Sequence, residues 1–143
     1  MTNTRRLPPD VYYIFSEVNN KPLNICHHPP AVREPVVVSD EQLLFRIQPA
    51  GDPSRNTYTI WTEDHRRHLR GIDGHIYASL DRMVVQEWVI TYHESRGAWT
   101  IASTNGHAWS DPGGPSNCEH KLYLNPLWSP LGPQQTFRIQ PLV

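Results

Sequence analysis

Eight histidines and two cysteines are the residues most able to do chemistry in this 143-residue chain. The densest histidines are His27-His28 and the pair His65 and His68. A strand places residues two apart on one face, so neither pair shares a face. No Cys-x-x-Cys accompanies them, and a zinc site needs three or four ligands. No metal or other cofactor is expected. Cys26 beside His27 would make a thiol nucleophile only if the two side chains met, and neighbours on a strand point to opposite sides. No Gly-x-Ser-x-Gly and no phosphate-cradling glycine loop occurs. The chain therefore does not read as an enzyme. Two cysteines cannot build a disulfide framework. Residues 1–9 carry charge without the apolar core of a secretion leader. Cys26 and Cys118 are accordingly expected as free thiols in a reducing compartment, the cytoplasm, with one bridge between them as the alternative, and with a leader removed earlier or export by another route as the alternative to that compartment.

The charge balance narrows the partners. Thirteen Lys and Arg against fourteen Asp and Glu give a net charge of -1. The stretch 64–70 holds three arginines, but Glu63 and Asp64 adjoin it, so it reads as a solvated basic hairpin rather than a nucleic-acid surface. No run of about 18 apolar residues exists to span a membrane.

The elements that must position these residues are strands. Proline is 14 of 143 residues, twice the usual share of about 5%, which rules out long helices. Short β-rich runs are expected at 11–16, 23–26, 36–39, 43–48, 57–62, 68–71, 76–80, 87–93, 98–103, 108–110, 121–125 and 136–142. Turn-formers separate them, with Asp73-Gly74 and Asn105-Gly106 as two-residue hairpin signals and Gly51-Asp52-Pro53 as a plain turn. Only 40–44 could be tried as helix, and it is too short to matter.

An aromatic-x-Ile triplet recurs. It stands at Tyr12–Ile14, Tyr58–Ile60 and Trp99–Ile101, and again at Phe45–Ile47, Trp88–Ile90 and Phe137–Ile139. Around two of these the identity extends over five residues, Phe45–Pro49 and Phe137–Pro141. Each unit of about 45 residues opens with one triplet and closes with another, with two weaker strands between. Three units of four strands make an all-β, β-trefoil fold: a six-stranded barrel capped by three hairpins. In each triplet the aromatic and the Ile face inward and the middle residue outward. Three blades would be too few for a propeller. One domain over 1–143 is expected, with repeats at about 11–50, 57–94 and 98–142 after a tail of 1–10.

Three segments carry a resemblance. They are Gly71-Ile-Asp-Gly-His-Ile-Tyr-Ala-Ser-Leu-Asp81, Gln86-Glu-Trp-Val-Ile-Thr-Tyr92 with Gly97-Ala-Trp-Thr-Ile101, and His107-Ala-Trp-Ser-Asp-Pro112 with Leu122-Tyr-Leu-Asn-Pro-Leu127 and Phe137-Arg-Ile139. Together they resemble the mushroom serine-protease inhibitors of the cospin type, the mycospins. The matching residues are mostly scaffold. The resemblance implies a monomeric, cofactor-free trefoil that blocks trypsin-like proteases through an exposed loop.

A loop of that kind must be extended, rigid and, for a trypsin-like target, supplied with Arg or Lys. The segment 27–35 holds three prolines and Arg33. Arg33 is the residue expected to enter the specificity pocket, with Pro30, Ala31, Val32 and Glu34 as its protease-binding neighbours. The alternative loop is Ser54, Arg55 and Asn56. The segment 128–133 lacks a basic residue, so Leu127 or Leu131 would suit only an apolar pocket. Mushroom trefoil inhibitors of cysteine proteases use the region corresponding to 62–68, where this chain has no Asn for an asparaginyl enzyme. The remaining alternative is a carbohydrate-binding lectin. Gln86-Glu87-Trp88 has the Gln-x-Trp spacing of ricin-type trefoil lectins, but only one of the three repeats keeps it. Trp61 with Asp64, or Trp109 with Asp111, would then bind glycans, although both tryptophans read first as packing under the hairpin cap.

Overall fold

The computed structural model describes residues 5–51 and 53–142. Asp52 of the expected turn and residues 1–4 of the expected tail lie outside the described residues. Twelve strands follow one another: β1 (Asp10–Ser16), β2 (Lys21–Ile25), β3 (Arg33–Val38), β4 (Leu44–Pro49), β5 (Thr57–Thr62), β6 (His68–Ile72), β7 (His75–Ser79), β8 (Trp88–His93), β9 (Ala98–Ser103), β10 (His107–Ser110), β11 (Tyr123–Pro126) and β12 (Phe137–Pro141). Segment 40–44 forms no helix, and two short 3-10 turns stand at Pro53–Arg55 and Pro133–Gln135.

Six strands close a ring. Antiparallel pairing runs β1 to β4, β4 to β5, β5 to β8, β8 to β9, β9 to β12, and β12 back to β1. The remaining six form the hairpins β2–β3, β6–β7 and β10–β11. These hairpins meet through β3–β7, β7–β11 and a Val37–Lys121 bridge. This is the β-trefoil.

The triplets explain the ring. Their isoleucines lie opposite one another as Ile14–Ile139, Ile47–Ile60 and Ile90–Ile101. Their aromatics pair as Tyr12–Phe45, Tyr58–Trp88 and Trp99–Phe137. Two layers, one aliphatic and one aromatic, thus line the interior with threefold regularity, and all twelve side chains are buried. Burying each contributes about 1.5–3 kcal/mol as an upper estimate. The aromatic layer continues into the cap, where the Trp88 and Trp109 rings meet edge-on at 5.3 Å. Before β1, Leu7 is buried and donates its N–H to the Tyr58 hydroxyl at 3.1 Å.

The turns follow their residues. Asp73 and Gly74 both take positive φ, 51° and 79°, and join β6 to β7 in two residues as expected. Asn105-Gly106 differs. The β9–β10 turn uses residues 104–106, with Gly106 at φ 90° and its N–H on Ser103 O, a three-residue hairpin with glycine at the left-handed position.

The cysteines correct an expectation. Cys26 and Cys118 form a disulfide, with Cα atoms 5.5 Å apart. The bond ties the end of the first hairpin to the loop before β11 in the third repeat.

Candidate functional site

Seven consecutive residues, His27 to Arg33, are exposed between β2 and β3. Both ends of this loop are fixed. At its start, Cys26 carries the disulfide and donates its N–H to Pro35 O at 3.0 Å. At its end, Arg33 already belongs to β3 and lies opposite Ser79 of β7. The Val32 carbonyl accepts the Leu80 N–H at 3.0 Å.

The inside of the loop is held by Glu34, and here the expectation needs correcting. Glu34 was expected among the exposed residues that touch a protease, yet it is 2% exposed. Its residue follows the strand alternation that also buries Val36 and Val38. A buried carboxylate must be paired and hydrogen-bonded. His27 Nδ1 lies 2.6 Å from one oxygen, Arg67 Nε lies 3.5 Å from the same oxygen, and the Ala31 N–H donates to the other at 3.3 Å. Arg67 extends the brace, donating from Nη1 to Val32 O at 3.1 Å and Ala78 O at 3.3 Å. Pro30, Ala31 and Val32 thus stand out in water, while the Ala31 N–H and the Val32 carbonyl are held by the frame beneath them. Val32 is 58% exposed. The Arg33 side chain is exposed, and its guanidinium has no partner among the described residues.

The alternative sites look different. Ser54 and Arg55 are exposed, but they sit in the 3-10 turn Pro53–Arg55, and Asn56 takes φ 54°. That curled shape is unlike the extended segment a protease cleft reads. Trp109 and Asp111, expected as a glycan platform, are both fully buried and cannot meet a sugar. Trp109 packs on Trp88 and Phe137, and the Asp111 carboxylate meets Ser16, Gly113 and His120. Trp61 is also buried, at 8% exposure, beneath the His65 ring and the Arg82 guanidinium. Asp64 is exposed, but its carboxylate accepts the Thr62 hydroxyl at 2.6 Å and the Arg66 N–H at 3.0 Å. These two bonds, the first foremost, hold its pKa below the usual carboxylate value.

Two features escape the sequence reading. Arg67 is a brace rather than part of a free basic patch. The loop between β7 and β8 raises Met83 and Val84 into solvent, 91% and 67% exposed. Period two in β3 signals the first by placing Glu34 inward. No periodicity signals the second.

No family model matches the sequence, and none of the curated proteins does. Solved structures do. A proteinase inhibitor from Coprinopsis cinerea is 15% identical, with 95% of this chain and 99% of that chain covered at a TM-score of 0.76. A ricin B-like lectin from Macrolepiota procera, in complex with lactose, is also 15% identical, covering 96% and 99% at 0.74. A Culex salivary protein of a cysteine- and tryptophan-rich family is 15% identical, covering 99% and 99% at 0.76. At these identities the likeness establishes the trefoil fold that the strand pairing already shows.

Proposed function

We propose that the chain inhibits a trypsin-like serine protease by reversible occupation of its active site, with 27–33 as the protease-binding loop. One observation carries this reading: seven exposed residues are fixed from within by a buried carboxylate and end in an arginine whose guanidinium has no partner among the described residues. Arg33 enters the specificity pocket, where a carboxylate at the base would match its guanidinium. Ala31 and Val32 line the adjoining subsites. The Glu34 side chain faces inward and makes no contact with the protease in this reading. It positions the Arg33–Glu34 bond from inside, so little chain entropy is lost on docking. The Coprinopsis inhibitor lends support as a protein of the same fold.

The test is a trypsin titration with wild type and Arg33→Ala side by side. Wild type is expected to inhibit in the nanomolar range and the variant to lose at least a hundredfold, about 2.7 kcal/mol, the size of an interface hot spot. Wild type that leaves trypsin untouched would overturn the reading. Retention on lactose-agarose with elution by free sugar would then move the protein to the glycan-binding class, in line with the Macrolepiota lectin.

A second variant isolates the brace. Glu34→Gln keeps shape and removes the charge that meets Arg67 and His27. It is expected to inhibit at least tenfold less and to be cut by trypsin after Arg33 on a timescale over which wild type stays intact. Equal inhibition and equal lifetime would show that the carboxylate does not hold the loop.

A further inference from the structure

Seven large apolar side chains are exposed among the described residues, and four of them, Val32, Leu80, Met83 and Val84, lie on two loops that are bonded to each other. The link is the Leu80 N–H on Val32 O, with Arg67 reaching both Val32 O and Ala78 O. The β7–β8 loop is also tied to the body of the molecule. His68 bonds the Asp81 carbonyl, Asp81 accepts the Met83 N–H at 3.0 Å, and Arg82 Nη2 donates to His65 O at 2.6 Å while its guanidinium covers Trp61. The backbone is fixed, yet the Met83 side chain gains no cover from it. A methionine presented in this way keeps its full hydrophobic cost until something else buries it.

We infer that the β7–β8 loop is the second, apolar half of the protease-binding surface: Met83 and Val84 pack on the rim of the same protease that takes Arg33. The inference rests on the inhibitor reading of the β2–β3 loop. Size argues for it. A stable complex buries about 800 Å² on each partner, roughly 20–30 residues a side, and a seven-residue loop cannot supply that alone. The β7–β8 loop is bonded to the β2–β3 loop and can supply further area, and it offers the apolar side chains, Met above all, that interface centres favour. Position argues for it as well, since a protease seated over Val32 and Arg33 stands directly beside Leu80 and Ser79. Arg33 supplies the charged anchor, and Met83, unbranched and adaptable, supplies contact that does not depend on one pocket shape.

The experiment uses the full chain with trypsin. Met83→Glu and Val84→Glu are compared with Arg33→Ala, and thermal melting confirms that each variant is folded. Each β7–β8 variant is expected to weaken inhibition at least tenfold, mainly by faster dissociation. A direct readout runs in parallel. The chain holds two methionines, Met1 and Met83, so mild peroxide followed by peptide mass analysis reports Met83 alone. Trypsin is expected to slow Met83 oxidation at least tenfold. If Arg33→Ala abolishes inhibition while the Met83 and Val84 variants inhibit normally and oxidation is unchanged, the inference falls and the inhibitor reading stands. If wild type does not bind trypsin, both fall. Protection of Met83 in the free protein that grows with concentration would assign the patch to a second copy and overturn the inference.

Discussion

Asp111→Ala is expected to cost about 3–5 kcal/mol of stability, the size of effect seen when one partner of a buried charged network is removed. Asp111 is fully buried and works as a junction. One carboxylate oxygen accepts the Ser16 hydroxyl at the end of β1. The other accepts the Gly113 N–H at 2.8 Å and faces His120 Nε2 at 2.5 Å. His120, itself 3% exposed, meets the Pro115 carbonyl at 2.9 Å through Nδ1. The Asp111 N–H donates to Gln134 O at 2.8 Å. Alanine would leave a buried hydroxyl, a backbone N–H and an imidazole without an acceptor, each costing about 1–3 kcal/mol. Equilibrium urea unfolding measures the loss. A change below about 1 kcal/mol would mean that water or a neighbouring group replaces the carboxylate.

The second large effect concerns the disulfide. Cys26 and Cys118 are 92 residues apart, and closing a loop of that length restricts the unfolded chain by about 4–5 kcal/mol in the chain-entropy account. The double variant Cys26→Ser, Cys118→Ser is expected to lose most of that in urea unfolding. It is also expected to free the entrance to the 27–33 loop, so that trypsin inhibition weakens at least fivefold even at temperatures where the fold persists. The two readouts separate two roles. A stability loss with unchanged inhibition would make the bond a scaffold clamp, and unchanged stability would remove it as a constraint on the unfolded chain.

The barrel was legible because its information is local and repeated. Six aromatic-x-Ile triplets state the period, the inward face and the threefold count, and the pairing of Ile with Ile and aromatic with aromatic follows from that spacing. What lies between the triplets was less legible. Lys121–Asn125 reads as a strand, yet β11 covers Tyr123–Pro126, because Lys121 makes a bridge to Val37 in place of continuous pairing. Glu34 is placed inward by counting back from Val38 and Val36, but its position next to Arg33 put it among the expected protease-binding residues. Its burial is tolerable because His27 and the Ala31 N–H meet it locally and Arg67, 33 positions later in the chain, stands beside it in the fold. Trp109 packs under the cap as its first reading had it, but Asp111 closes a run, Ala108 to Asp111, that is buried throughout, so no alternation places the carboxylate inside. The disulfide was illegible for a plainer reason. Cysteines in different repeats are brought together by the hairpin cap, and nothing in the 92-residue spacing of Cys26 and Cys118 states that distance.

Ring closure by β1 and β12 bears on how the protein is made. The hydroxyl of Thr136 reaches Glu17 across 119 residues, and Ile14 waits for Ile139. During synthesis β1 can pair early with β4, but its other edge stays open until the last strand has left the ribosome. An open strand edge is a template for pairing with another chain. Folding of this molecule therefore carries a window of vulnerability as long as its own translation, and a chain stalled before β12 would be a barrel with one stave missing.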